Sequence, residues 1–406
     1  MADDTTDPLL QIEHFAPHHR SLRLAVVTET YPPEVNGVAL TLARLLDGLR
    51  DANHDIQLIR PRQSLADVAS GQACTSGFHE VLMRGFPIPR YPDLRMGLPS
   101  RSALTKLWQL RRPDVVHIAT EGPLGWSALR AAGYLKLPVT TDFRTNFQSY
   151  SAHYGVGFLT KAIMVYLRKF HNRAACTMVP TAALRESLTR LGFQRVRVVS
   201  RGVDTVAFDP AHRSPSLRER WGMAPDGLAV LCVGRLAPEK NLHLLVKAFE
   251  AIARQQPGVR LVLVGQGPMR ESLQALCPQA IFTGQLRDHE LAQHYASADL
   301  FLMPSQTETF GNVTTEAMAS GLPVLAFEHA AAAELIKDGV NGRRVALTDP
   351  EAFVATALDL ARQPALRMSL GNAARQSMLP LAWTNIVEQF EEALQDALSW
   401  TRLENG

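Results

Sequence analysis

The sequence predicts an α/β protein of two domains, each a parallel sheet covered by helices on both faces. Three observations carry that expectation. Short apolar runs of strand size alternate with helical stretches along the chain. A length of 406 residues is too great for one ordinary core, so about two domains are expected. The polar residues with the most suggestive spacing all fall just after predicted strands, where ligands of open α/β sheets bind.

The first series has strands at residues 22–27, 56–59, 115–117 and 139–141, with helices at 38–50, 124–135 and 159–175. The second has strands at 229–233, 261–264, 300–303 and 324–326, with helices at 241–255, 288–297 and 313–320. Each strand is a short, largely aliphatic run of the kind that a parallel sheet buries on both faces. Residues 201–215 hold Gly202, two Asp and two Pro, and are the predicted crossing between domains. The expected organisation is a loose tail at 1–20, a first domain at 21–203 and a second at 204–384. An amphipathic last helix within 385–406 folds back onto the first domain.

Apolar content of 46% and charged content of 20% describe a soluble globular protein. Its longest apolar runs are strand-sized, too short to span a bilayer. The start, Met1-Ala2-Asp3-Asp4, has neither the basic nor the apolar region of a secretory signal, so a cytoplasmic location is expected. Cys74, Cys176, Cys232 and Cys277 lack metal-ligand spacing and read as buried free thiols. The net charge of +3 conceals an asymmetry: residues 1–203 are basic and residues 204–406 acidic. Different partners for the two halves follow.

The most informative stretch is Glu308-Thr-Phe-Gly-Asn-Val-Thr-Thr-Glu316. Glu308 lies on the loop leaving a strand, and Glu316 lies one turn into the following helix. Between them Gly311 lets the chain bend close to a ligand, and the first amides of the helix, near Phe310, Asn312 and Val313, make an anion site. Carboxylates on either side of such a site suit sugar and ribose hydroxyls.

Arg235 and Lys240 bracket the loop that follows Gly234. Two fixed cations there can hold a diphosphate and stabilise the charge growing on it as a leaving group. Gly37, after Pro32-Pro33 and beside Asn36, offers backbone at a helix start. Residues 265–268, beginning at Gly265, and Leu286 after Gly284 mark turns whose backbone can take a nucleobase edge or merely connect elements. His117 ends a strand, either to hydrogen-bond a sugar hydroxyl or as a satisfied core residue. Glu121, Asp142 and Arg144 stand in polar loops at strand ends, and the last two can simply pair. The helix at 159–175 carries Leu159, Ile163, Tyr166 and Phe170 on one stripe, with Lys161, Arg168, Lys169 and Arg173 elsewhere. A basic amphipathic helix can pack on its domain or rest on anionic lipid.

With Glu308-x7-Glu316, Gly234-Arg235…Glu239-Lys240 and Arg201-Gly202-Val203-Asp204, residues 22–400 resemble retaining glycosyltransferases of family 4. The resemblance implies the GT-B fold, two Rossmann-like domains facing a cleft. It implies that Glu308 contacts donor-sugar hydroxyls, Glu316 the ribose, Arg235 and Lys240 the diphosphate, and Gly37 the same group from the first domain. It also implies no metal and no cofactor. Tyr31-Pro32-Pro33-x-x-Asn36-Gly37-Val38 and residues 308–314 resemble the branch of GDP-mannose-dependent α-mannosyltransferases and sulfoquinovosyl- or glycosyl-diacylglycerol synthases. Arg144 stands where relatives commonly have histidine.

The expected catalytic set is Glu308, Arg235, Lys240 and His117. The donor set adds Gly37, Gly234, Gly265, Leu286, Phe310, Gly311, Asn312, Val313 and Glu316, and the acceptor set is Asn36, Glu121, Asp142 and Arg144. The expected reaction is hexosyl transfer, mannosyl favoured, from a nucleoside diphosphate sugar to a lipid or glycan. Peripheral contact with anionic membrane is expected and a nucleic-acid partner is not. A nucleotide-sugar epimerase on the same architecture, or a non-catalytic nucleotide-sugar-binding protein, are the alternative readings.

Overall fold

A computed structural model describes residues 21–34, 37–63, 67, 77–88, 91–143, 157–224, 226–308 and 310–405. In the first domain the strands are β1 (Arg23–Val27), β2 (Asp55–Pro61), β3 (Phe78–Met83), β4 (Gly85–Ile88), β5 (Tyr91–Gly97), β6 (Val115–Ile118), β7 (Val139–Asp142), β8 (Cys176–Val179) and β9 (Val196–Val198). Seven of these form one parallel sheet in the order β3-β2-β1-β6-β7-β8-β9, while β4 and β5 make an antiparallel hairpin. Its helices are α1 (Gly37–Asp51), α2 (Arg101–Leu110), α3 (Pro123–Tyr134), α4 (Gly157–His171) and α5 (Ala182–Arg190).

The second domain adds β10 (Ala229–Val233), β11 (Arg260–Val264), β12 (Ile281–Gly284), β13 (Leu300–Met303), β14 (Val324–Phe327) and β15 (Arg343–Val345). These pair in parallel in the order β12-β11-β10-β13-β14-β15. Around them lie α6 (Pro215–Arg220), α7 (Leu242–Ala253), α8 (Arg270–Leu276), α9 (Asp288–Ser297), α10 (Asn312–Ala319), α11 (Ala330–Leu335), α12 (Pro350–Arg362) and α13 (Pro364–Met378). The last helix is α14 (Trp383–Asn405). Both sheets reverse strand order part-way, at β1/β6 and at β10/β13, and these switch points open crevices at the strand ends.

The central strands are fully buried aliphatic runs, with Val230, Leu231, Leu300 and Phe301 all inaccessible, as a sheet covered on both faces requires. The strands not predicted from sequence include the sheet-edge strands β3 and β9, half-buried along their length, and the short strand β8. The helix predicted at 159–175 ends at His171, because Cys176 already begins β8. Its predicted apolar stripe also divides. Phe170 is buried, whereas Ile163 and Tyr166 are 39% and 42% exposed; Val165, outside that stripe, is 54% exposed.

α14 belongs to the first domain's core. Ile386, Phe390, Ala393 and Leu394 are buried with Leu22, Leu24, Leu45 and Ile56. Arg197 binds Glu392 at 2.8 Å and also pairs with Asp396, and Arg195 lies over the Trp400 ring at 4.7 Å. The chain therefore crosses between domains twice. The two crossings touch, with the Val203 amide donating to the Leu381 carbonyl at 2.9 Å.

Candidate functional site

The second domain's site is built where β10 and β13 part. Gly234 leaves β10 and the chain makes a short 3₁₀ turn at Pro238–Lys240 before α7. The next loop stacks directly on it: Gly265, after β11, has φ of 140°, and a Cβ there would lie 1.9 Å from the Gly234 carbonyl oxygen. Only glycine fits both the conformation and the contact. From β13, the loop to Glu308 is fastened to the same turn, since the Ser305 and Thr307 hydroxyls each reach the Glu239 carbonyl at 3.4 Å.

That fastening brings Lys240 to Glu308, with Nζ 2.5 Å from Oε1. Glu316 meets a different partner. The Tyr295 hydroxyl, on α9, donates to its Oε2 at 2.9 Å. Burial raises the Glu316 pKa against the lowering effect of this hydrogen bond, and burial drives the Tyr295 phenol well above its usual value. The buried Cys232 thiol of β10 is pushed up to about 12 by burial, which makes it an inert packing group. Arg235 stands exposed on the loop above.

Gly311 caps α10 with φ of 92°, a left-handed conformation that glycine accepts without strain. The Thr314 amide is satisfied by the Gly311 carbonyl, and the Ala331 amide donates to Phe310. The amides of Asn312 and Val313 are in the first turn, where no intrahelical acceptor exists. The positive end of α10 thus sits between Glu308 and Glu316. Gln266 and Arg270 converge on Gly284, at 3.6 and 3.8 Å from where its Cβ would be, and Leu286 packs partly into the core beneath.

In the first domain, Gly37 opens α1 beside the crossing segment, and Arg201 Nη2 donates to its carbonyl at 2.8 Å. His117 is fully buried. Its Nδ1 is 3.0 Å from Thr140 Oγ1, its Nε2 is 3.6 Å from Asp142, and its ring meets Phe390 of α14 edge-on at 4.8 Å. Asp142 is buried with it. Glu121 is nearer the surface, 3.4 Å from His171 Nε2, and its backbone carbonyl accepts from Tyr166. Asn36 and Arg144 lie outside the described residues. Among the described residues no group of three or more His, Cys, Asp or Glu is placed to hold a metal ion.

Two family models match. The one described as glycosyltransferase family 4 spans residues 35–207, and glycosyl transferases group 1 spans 214–377. A GDP-mannose-dependent alpha-mannosyltransferase of Mycolicibacterium smegmatis is 34% identical, over 91% of this chain and 96% of its own. The chain belongs to glycosyltransferase family 4. The sulfoquinovosyl transferase SQD2 of Arabidopsis thaliana is 28% identical over 97% of this chain and 76% of that protein. The crystal structure of Anabaena HepE in complex with UDP superposes with a TM-score of 0.69 at 19% identity, covering 92% of this chain and all of the other, and shows the shared GT-B fold.

This family 4 member is therefore a retaining glycosyltransferase with two Rossmann-like domains about a cleft. Sequence reasoning missed three residues that the structure places among the candidates, Glu29, His171 and Tyr295, and it named Arg201 as part of a motif without giving it a role. Glu29 accepts from the amides of Gly97 and Leu124 and so ties the hairpin to the start of α3. None of the three carries a spacing signal, because each reaches its neighbours through tertiary contact alone.

Proposed function

We propose that the enzyme transfers a mannosyl unit from GDP-mannose, with retention, to a lipid or glycan acceptor, without a metal or other cofactor. The observation that carries the donor reading is the Lys240–Glu308 contact at the β10/β13 switch point, beside the positive end of α10. The similarity to a GDP-mannose-dependent enzyme supports the choice of base and sugar. Arg235 and Lys240 hold the diphosphate and neutralise the charge that grows on it as the bond to the sugar breaks. Glu308 accepts hydrogen bonds from the sugar, and Glu316, set by Tyr295, accepts from the ribose. The acceptor oxygen bonds to the anomeric carbon on the face the diphosphate leaves, and its proton passes to a phosphate oxygen. His117 takes no part, being enclosed beneath α14.

The second domain takes the donor and the first the acceptor. Ile163, Val165 and Tyr166 on α4, with exposed Arg168 and Lys169 close by, form an apolar and basic surface suited to an anionic membrane. The proposed contact is peripheral and on the cytoplasmic face; no helix among the described residues is long and apolar enough to cross a bilayer. The decisive assay gives GDP-mannose, UDP-glucose and ADP-glucose to the wild type, Arg235→Ala and Glu308→Ala with a lipid extract as acceptor. Normal transfer by either variant refutes the site. Sugar isomerisation without acceptor marks an epimerase instead.

A further inference from the structure

Arg201 belongs to the first crossing between the domains, and its side chain touches both. Nη2 donates to the Gly37 carbonyl of the first domain at 2.8 Å. The guanidinium carbon lies 4.7 Å from the centroid of the Phe310 ring, in the loop between Glu308 and Glu316. We propose that Arg201 is a positioning residue that sets the closed geometry of the cleft by clamping Gly37 to Phe310. The proposal rests on the donor site assigned above, and it assigns to the arginine neither phosphate nor sugar.

The backbone beneath Arg201 is anchored. A Cβ on Gly202 would lie 2.4 Å from the Trp383 ring, so residue 202 is pressed against the start of α14. Val203 is bonded to Leu381 and bridges Ala382. Outgoing and returning crossings are thus joined at the root of the arginine, where a rotation between domains has its axis. A side chain mounted there reports on that rotation when it touches both sides, as this one does.

The contacts demand arginine. Its planar guanidinium can donate edge-on to a carbonyl while its face lies on an aromatic ring, whereas an ammonium is a point charge with no such face. The fit at Gly37 is close, since a Cβ there would meet Nη2 at 2.7 Å. The Gly37 carbonyl also accepts from Thr41 Oγ1 at 2.7 Å, which fixes it at the head of α1. On the other side, the Phe310 carbonyl accepts from the Ala331 amide, and Gly311 and α10 follow at once. A shift of Phe310 therefore carries the α10 N-terminus and Glu308 with it. Arg201 fixes the distance between two backbone segments that are to meet one diphosphate from opposite sides.

The test compares wild type with Arg201→Met, Arg201→Lys, Phe310→Leu and the Arg201→Met/Phe310→Leu pair, all in the full chain. Calorimetry gives the GDP Kd, initial rates give kcat and KM, and hydrogen exchange follows the amides opening α1 and α10. Expected for Arg201→Met is a GDP Kd within about threefold of wild type and a kcat lower by about tenfold or more. Phe310→Leu behaves alike, the pair is no worse than the worse single variant, and lysine restores little. In Arg201→Met both sets of amides exchange faster, although they lie on different domains. A kcat within about twofold of wild type, additive losses in the pair, or a GDP Kd weakened by more than about tenfold overturns the clamp. The last result makes Arg201 a phosphate ligand. If wild type turns over no nucleotide sugar, the donor reading fails by itself, and the exchange rates still decide the clamp.

Discussion

Lys240 and Glu308 neutralise each other across the switch point of the second sheet, with Nζ and Oε1 2.5 Å apart and both side chains largely sheltered from solvent. If Lys240 holds the donor diphosphate as proposed, the diphosphate must draw it away from this carboxylate, so part of the lysine's attraction is already spent before the donor arrives. Glu308→Gln removes the competitor. We expect it to bind GDP about threefold to tenfold more tightly while transfer falls by about 100-fold, because the sugar loses a charged acceptor. Calorimetry beside a rate assay checks both, and weaker GDP binding by this variant would contradict the arrangement.

A ribose contact at Glu316, as proposed, makes nucleotide binding depend on pH. Burial raises its pKa, and the Tyr295 hydroxyl opposes that rise by donating to the carboxylate. If the ribose hydroxyls donate to the charged form, binding is intact above the folded-state pKa and fades as pH falls through it. Tyr295→Phe removes the opposing hydrogen bond, so the acid limb of the GDP affinity profile moves to higher pH. The folded protein holds the Glu316 proton more tightly than the unfolded chain does, so its carboxylate disfavours folding at high pH and ceases to do so in acid. The variant therefore loses about 1–3 kcal/mol of stability near pH 8 and less near pH 5, measurable by urea titration at both.

Much of this was legible in the chain itself. Aliphatic runs such as 229–233 and 300–303 are central strands because only a doubly covered sheet buries residues in that pattern. The places of Glu308, Lys240 and Gly311 were legible because a strand-to-helix loop has few residues and each has a fixed place. His117 shows where that reasoning stops. Spacing puts it at a strand end, but only the return of α14, with Phe390 against the imidazole, shows that the strand end is roofed over. Tyr295 escaped notice, and Arg201 was named in a motif without a role, for the converse reason: neither sits at a strand end, and both make their contacts through packing between distant elements.

His117 also yields a test that separates the two roles. Its ring is enclosed, hydrogen-bonded to Thr140 and 3.6 Å from Asp142, so His117→Asn is expected to cost about 2–3 kcal/mol of stability. The transfer rate per folded molecule stays within about threefold of wild type. A catalytic role, the expectation from sequence, predicts the reverse: stability intact and rate lost. Thermal unfolding and active-site-normalised rates on the same preparation distinguish them.

Membrane contact through α4 predicts binding that depends on charge and on exposed apolar area. Vesicles rich in phosphatidylglycerol should sediment the enzyme at low salt and release it as ionic strength rises, because surface attraction is screened over about 8 Å at physiological salt. Val165→Glu, at a position 54% exposed, should weaken binding without altering GDP affinity. Equal binding to neutral vesicles would refute the electrostatic part.

Gly48 of α1 gives the sharpest test of how α14 is held. A glycine inside an exposed helix would be improved by alanine, by about 1 kcal/mol. Here the sign reverses. A Cβ at position 48 would lie 2.4 Å from Val387 Cγ2, and Val387 is buried against the first domain's core. Gly48→Ala must push α14 outward, and overpacking of this kind costs about 1–3 kcal/mol. Val387→Ala by itself opens a cavity and is also destabilising. Combined, the new methyl occupies the space the valine leaves, so the double variant loses less than the sum of the two and recovers the helical gain. Urea denaturation followed by tryptophan fluorescence reads all three, and strictly additive losses would mean that the two helices are not in contact at this point.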